Sequence, residues 1–289
     1  MSSGVLIYAF NNSEIDYIKI SAECARRVKK FLNQPVALVT DSVDWLQQSI
    51  PEYRKIFDVI IDLKDNQQYR SVVLDSSRNF RKFNDGALSY RKLEFRNLTR
   101  TKTFELSPFD ETLVIDSDFL IANDNLKFCW DQPFDFLIYK DAVDLSGHRD
   151  TSQFEKISDY TIDFYWATIF FFRKNTETKI FFNLLDHIRE NWSYYKMIYQ
   201  FSSAVYRNDH AFSIALHIMN GYQNSQWHRS LPGKLLYTID SDILIDMSDT
   251  EFRFLIEKEK YLGEYTLLKT TDLSVHIMNK FSLKRMIDV

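Results

Sequence analysis

"TLVIDSDFLIAND" (residues 112–124) decides how this chain is read. Thr112 to Ile115 run apolar or β-branched into Asp116-Ser117-Asp118, and the chain is apolar again from Phe119. Such a run is the pattern of a strand buried on both faces of a parallel sheet. Side chains two apart share a face, so Asp116 and Asp118 point the same way where that strand ends. Two close carboxylates repel, and their pKa values split unless a cation lies between them. Hard oxygen ligands suit Mg²⁺ or Mn²⁺, which complete their shells with water and substrate phosphates. Ligands of open parallel sheets bind beyond the carboxyl ends of the strands. The pair therefore predicts a metal bridge to a diphosphate; the competing reading is two solvated turn aspartates.

The segments on either side support a strand in that place. "GVLIYAF" (4–10), "PVALVTD" (35–41) and "DVIIDL" (58–63) read as apolar strands. Between the first two, Ile15, Ile18, Ala22, Ala25, Val28 and Phe31/Leu32 fall on a helical stripe, with Ser13 as the expected N-cap. "DWLQQSIPEYRKIF" is a short helical stretch interrupted at Pro51. The alternation predicts an α/β fold with a mostly parallel sheet flanked by helices. Residues 64–106 read as polar, basic and partly helical, "FDFLIYK" (134–140) and "FYWATIFFFRK" (164–174) as strands. "TETKIFFNLLDHIRENWSYYKMI" and "NDHAFSIALHIMNG" read as helices, the second ended by Gly221. The last third holds shorter runs, "KLLYTID", "DILIDM" and "LSVHIM", taken as a C-terminal elaboration. No linker composition interrupts the chain, so one domain over 1–289 is expected. "TIDSDILIDMSD" (238–249) echoes the opening motif for about ten residues and reads as a polar bend between strands.

The chain has 289 residues, 45% hydrophobic, with net charge -4, which excludes an overall basic footprint for nucleic acid. Charge is uneven: nine Lys/Arg from Arg70 to Lys102 face only Asp75, Asp85 and Glu94. That excess suits phosphates or a solvated helix face. Two cysteines give no disulfide framework or cysteine zinc site. The start lacks a signal-peptide pattern, and no apolar run approaches the ~18 residues of a membrane span, so a soluble cytoplasmic protein is expected.

"SPFDETLVIDSDFLI" (107–121) resembles the metal-binding strand of GT-A glycosyltransferases, which use nucleotide-sugar donors. "GVLIYAFNN" resembles the first strand and uridine-contacting loop of that family, "YRKLEF" (90–95) its basic segment toward the diphosphate, and "YWATIFFFRK" its acceptor-side strand. "RNDHAFSIAL" (207–216) resembles its Asp-Gln or Asp-Glu helix start. "SVHIMNKFSL" (274–283) resembles the late His-x-x-Gly-x-Lys segment of glycogenin-like members, with Met278-Asn279 where the glycine falls. Trp166-Ala167-Thr168 replaces the usual Asn-x-Gly. The resemblance implies a Mn²⁺ or Mg²⁺ cofactor on Asp116, Asp118 and His276, and a nucleoside-diphosphate sugar, UDP-sugar by the first loop. It places Ala9, Asn11, Asn12, Tyr17, Asp41, Arg91, Lys92, Ser117 and Lys280 around the donor, and implies a nucleotide-sugar half (1–125) and an acceptor half with the C-terminal elaboration (126–289).

Each residue also has a plainer reading. His276 suits a hydrogen-bonded structural histidine, and Lys280 a surface lysine that would share its face if the segment were helical. Asp209 suits a first-turn carboxylate as well as a catalytic base or acceptor-orienting group. Asn11 and Asn12 can read a base or ribose edge, and Tyr17 can stack or pack. Asp41 ends the second strand, where polar groups meet a nucleoside. Arg91 offers a bidentate fork to phosphate.

The composition, rich in Lys, Asn, Ile, Tyr and Phe, resembles phage-encoded sugar transferases. That implies as acceptor a hydroxymethylated base in phage DNA, which would need flipping, or a polysaccharide or lipopolysaccharide. Three rivals stand beside this. A haloacid-dehalogenase-type phosphatase carries its Asp-x-Asp on the first strand with Thr or Val where Leu120 stands. A nucleotidyltransferase wants a glycine-rich basic loop after strand one, where this chain reads "AFNNSEID". A catalytically silent scaffold shares the fold.

Overall fold

The computed structural model describes residues 2–49, 51–64, 69–75, 88–157, 162–200, 205–223, 227–259 and 262–288. The continuous apolar runs become the strands of a seven-stranded sheet. Its order is Arg229–Ser230, Phe136–Tyr139, Trp166–Arg173, Glu111–Asp116, Ser3–Tyr8, Val36–Thr40, Val59–Asp62. Ser3–Tyr8 pairs in parallel with both Val36–Thr40 and Glu111–Asp116, and Val36–Thr40 with Val59–Asp62. Trp166–Arg173 is the exception, antiparallel to both of its neighbours. The expected mostly parallel sheet flanked by helices is present.

Alternation along each strand divides the core in two. Val5, Ile7, Leu38, Leu113 and Ile115 face the helix Tyr17–Arg27 through Ile18, Ala22 and Ala25. Leu6, Ala37, Val39 and Val114 face the other way, toward Phe181, Phe182 and Leu185 of Thr176–Glu190 and Phe212 and Ala215 of Asn208–Met219. All these side chains are at most 2% exposed, which explains why no polar residue interrupts the runs. At Gly4 a Cβ would lie 2.5 Å from the Phe109 ring. Phe109 is itself buried, and Gly4 is held in strand pairing by Thr112. Gly4→Ala is therefore expected to cost roughly 1–3 kcal/mol of stability, as overpacked core sites do, and a denaturant midpoint matching the parent would contradict it.

Several local expectations change. The first helix is capped by Asp16, whose Oδ1 accepts from Ile18 N (3.1 Å) and Lys19 N (3.2 Å), not by Ser13. Ser13 sits in a turn closed by Asn12, whose Oδ1 accepts from Glu14 N and Ile15 N. Residues 88–94, expected as helical, form a strand paired antiparallel with Tyr69–Asp75. A partner distant in sequence overrode the local pattern there. The stretch read as one helix over 176–198 breaks at Asn191, which caps Trp192–Ile198.

The C-terminal elaboration holds two small sheets. Phe119–Leu120, Val275–His276, Leu235–Tyr237 and Ala142–Asp144 form one; Ile243–Met247, Glu251–Glu257 and Tyr265–Thr271 form an antiparallel meander. Arg27, 1% exposed, fastens the meander's first turn to the main body. It donates to Ser248 O, Asp249 O and Ile121 O, pairs with Glu23 and lies 5.0 Å over the Phe252 ring. In the motif's echo the second carboxylate is structural. Asp242, fully buried, accepts from Arg149 with both oxygens (2.9 and 2.7 Å), from Ile239 N and from Glu257 N. Among the described residues no helix is long and apolar enough to cross a membrane.

Two buried imidazoles tie stability to pH. Burial pushes His210 and His228 down to about 4 from an ordinary value near 6.5. Asn220 Oδ1 accepts from Trp227 N, so its Nδ2 donates to His228 Nδ1 (3.1 Å), which requires that nitrogen unprotonated. The folded values lie below the unfolded ones, so the unfolded chain binds more protons between them. The contribution is complete above about pH 6.5 and is lost as pH falls toward 4. Each histidine accounts for at most about 3 kcal/mol. Unfolding free energy measured against pH should fall through this window, and His210→Gln should flatten the slope whatever its absolute stability; an unchanged slope would refute the assignment.

Candidate functional site

Asp116 closes the strand Glu111–Asp116, opposite Tyr8 at the end of the first strand. The chain turns at Ser117-Asp118 and enters the short strand Phe119–Leu120, which pairs antiparallel with Val275–His276, placing His276 opposite Phe119. Ile277 N donates to Asp118 O (3.0 Å), closing the join. This pairing sets His276 Nε2 3.1 Å from Oδ1 of Asp118, 158 residues away in sequence. One ligand atom from each of Asp116, Asp118 and His276 lies within 4.8 Å of the others.

Two cations stand on the carboxylates. Lys280 Nζ pairs with Asp118 Oδ2, and Arg100 pairs with Asp116 Oδ1. Lys280 opens the helix Lys280–Ile287 while His276 lies on a strand, so the two do not share a helical face; they meet at Asp118 instead. Arg100 is 2% exposed, donates also to Ala167 O, and lies 5.5 Å over the Tyr8 ring. Burial works to raise both aspartates. At Asp116 it prevails over Arg100 and the carboxyl is raised; at Asp118, Lys280 and then His276 outweigh it and hold the group well below the usual carboxylate range. One carboxylate thus resists acid far better than its neighbour.

A cavity of about 370 Å³ opens onto this group. Tyr8, Phe10, Tyr17 and Phe95 form its aromatic walls, with Asn12, Asn97, Asp116, Ser117, Asp118 and Lys280 as polar lining. Burial, with Asp118 and Asp116 nearby, pushes the Tyr17 phenol up to about 12. It stays neutral and able to donate.

The remaining sequence candidates divide. Asn12, Tyr17, Ser117 and Lys280 line the cavity. Ala9 is buried, its N–H donating to Val39 O (3.0 Å), and supports the loop from behind. Asn11 Oδ1 accepts from Ile18 N (3.0 Å), and Asp41 Oδ1 from Ser42 Oγ (2.8 Å); neither residue lines the cavity. Arg91 and Lys92 lie on the strand Leu88–Glu94, with side chains outside the described residues. Asp209 stands at the start of Asn208–Met219, its Oδ1 accepting from Ala167 N (3.0 Å) and its Oδ2 from Arg207 (2.9 Å). Arg100, Tyr8, Phe10, Phe95 and Asn97 were not singled out by the sequence. Arg100 is one of nine cations in the basic run, and nothing local distinguishes it.

No family profile and no curated protein matches the chain. Solved structures with a similar fold include mouse xyloside xylosyltransferase 1, with TM-score 0.46, 10% identity, and 80% of this chain and 85% of that one covered. The galactosyltransferase LgtC, in complex with donor and acceptor sugar analogues, gives TM-score 0.44, 12% identity, and 78% and 72% coverage. The glycosyltransferase GlyE of Streptococcus pneumoniae TIGR4 gives TM-score 0.41 and 11% identity over 80% of this chain, which spans 46% of that protein. The likeness is loose in each case.

Proposed function

We propose that this chain is a metal-dependent glycosyltransferase that takes its sugar from a nucleoside diphosphate, UDP by preference, and passes it to a hydroxyl group. The observation that carries the reading is the Asp116, Asp118 and His276 group, its ligand atoms within 4.8 Å, at the carboxyl end of a central strand beside an aromatic-walled cavity. The donor set fits a divalent cation: two hard carboxylates and one imidazole, with His276 Nδ1 making no hydrogen bond among the described residues and Nε2 turned to the carboxylates. When bound there, Mn²⁺ or Mg²⁺ supplies Lewis-acid stabilisation of the departing nucleoside diphosphate.

The chain's own residues do the rest. The paired charges Asp116 with Arg100 and Asp118 with Lys280 cancel, so the site with a divalent cation held there would carry a net positive charge suited to a diphosphate. Lys280 stands at the cavity wall, where its ammonium could pair with diphosphate oxygens as well as with Asp118. Arg100 holds Asp116 in place through its second anchor on Ala167 O. Tyr17, Phe10 and Tyr8 offer faces for the nucleobase, and Asn12 an amide for its edge. Asp209, held by two hydrogen bonds, orients the acceptor hydroxyl rather than floating free as a base.

The test is a donor panel: hydrolysis of UDP-, GDP- and ADP-sugars with and without Mn²⁺, with calorimetric titration of each. Slow, metal-dependent hydrolysis of one donor is expected. Phosphate-ester hydrolysis without donor preference would point to a phosphatase, pyrophosphate release from a nucleoside triphosphate to a nucleotidyltransferase, and metal-independent or absent binding to a scaffold. The expectation of a DNA acceptor rests on the basic run 70–102, of which the side chains from 69 to 94 lie outside the described residues.

A further inference from the structure

A second cavity, of about 590 Å³, shares no lining residue with the first. Tyr237 and Met278 line it, and Tyr237 is the parallel-strand partner of His276. Arg207 lines it too, and through Asp209, Ala167 and Arg100 it is linked by successive hydrogen bonds to Asp116. The cavity therefore abuts the donor site without overlapping it.

Its chemistry is distinct. Trp166, Tyr237 and Phe154 form an aromatic floor, with Trp166 and Tyr237 packed at 5.3 Å. The indole N–H of Trp166, itself 4% exposed, is buried yet makes no hydrogen bond among the described residues, and neither does the buried hydroxyl of Ser241. Both are polar atoms that burial without a partner makes costly, and both belong to residues lining this cavity. The charges around them are uneven. Arg149 is taken by Asp144 and Asp242, Arg207 by Asp209, and Lys258 stands 3.6 Å from Glu264. Asp150, Asp240 and Glu259 line the same cavity and have no cationic partner among the described residues.

Unpaired carboxylates repel a phosphate backbone and accept hydrogen bonds from hydroxyl groups, while an aromatic floor suits the C–H face of a sugar ring. We propose that this cavity is the acceptor site, and that the acceptor is a neutral pyranoside rather than DNA; the assignment rests on the sugar-transfer reading above. Ser241 and Trp166 donate to ring substituents, and Asp240 and Glu259 accept from hydroxyls at the rim.

Saturation-transfer NMR on the full chain tests it, with methyl glycosides of glucose, galactose, mannose and N-acetylglucosamine as one set of probes. A short duplex bearing 5-hydroxymethylcytosine is the other. At least one glycoside is expected to receive saturation, and Asp240→Asn combined with Glu259→Gln to raise its apparent dissociation constant about tenfold, the effect of losing hydrogen bonds to charged groups. In turnover with donor, the same variant should raise acceptor KM and leave kcat within a few-fold, whereas the exposed control Asp124→Asn should change neither. Saturation of no glycoside, equal binding in parent and variant, or salt-sensitive duplex binding that blocks transfer would each overturn the proposal. The NMR arm needs no donor and no metal, so its failure is separable from a failure of the donor panel.

Discussion

Replacing Asp116 and Asp118 together by asparagine is expected to lower metal-supported sugar transfer at least about a thousandfold, the scale on which losing a main electrostatic stabiliser of developing charge is felt. Asparagine keeps the volume and one carbonyl oxygen but removes the charge that makes a hard divalent ion bind. Calorimetric titration with Mn²⁺ should show loss of the site, and kcat should fall with it; a double variant retaining turnover within tenfold would end the proposed mechanism. The single variants should lose stability for different reasons. The Asp118 carboxyl sits below its unfolded value, so its contribution is present at pH 7 and is lost only as pH falls through the folded value. Asp118→Asn therefore costs stability at neutral pH and strands Lys280. The Asp116 carboxyl is raised, burial outweighing Arg100, so its ionised form is held at a cost. Asp116→Asn relieves that cost but leaves Arg100, 2% exposed, without its carboxylate, so it too should lower the thermal midpoint at neutral pH. Circular dichroism melts beside the kinetics keep lost chemistry apart from lost fold.

How far the sequence carried depends on how local each cause is. The core strands were legible because burial on both faces leaves a mark that needs no partner: Val5 to Ile7, Val36 to Val39 and Leu113 to Ile115 are all fully buried. Asp116 and Asp118 were legible for the same reason, as two charges that a buried run tolerates only at its end. The antiparallel insertion of Trp166–Arg173 left no such mark, since a strand buried on both faces reads alike in either direction. The meander strands Glu251–Glu257 and Tyr265–Thr271 went unread: the first alternates buried and exposed residues, and the second is exposed at most positions along a sheet edge. Asp16 and Ser13 are both good caps by type, and only the Asn12 turn decides between them. Arg100 shows the limit most plainly. Its role comes from Ala167 O, Asp116 and the Tyr8 ring, which belong to three separate strands and meet only in the folded sheet.

That convergence makes Arg100→Met the sharpest probe of the site's electrostatics. Methionine retains much of the aliphatic stem beside Tyr8, so packing is largely conserved and the change is one of charge. Breaking a buried pair by removing one partner leaves the other uncompensated, at a cost of about 3 kcal/mol or more, which in a chain of this size lowers the thermal midpoint by roughly 6–10 °C. Asp116, already raised by burial, loses the cation that opposes that rise, so the deficit should be largest near neutral pH and shrink as acid neutralises the carboxyl. A divalent ion held there would compete with Arg100 for the same carboxylate, and removing the arginine would relieve that competition. Mn²⁺ should therefore raise the midpoint of Arg100→Met by more than it raises the parent's, a tenfold gain in affinity corresponding to about 1.4 kcal/mol of extra stabilisation at saturating metal. Turnover should still fall, because Asp116 loses its second anchor and the ligand geometry loosens. A variant as stable as its parent without metal, or one that gains no more than the parent from Mn²⁺, would mean that Arg100 is not the standing counter-charge of this carboxylate and that the site is poised for cations by some other route.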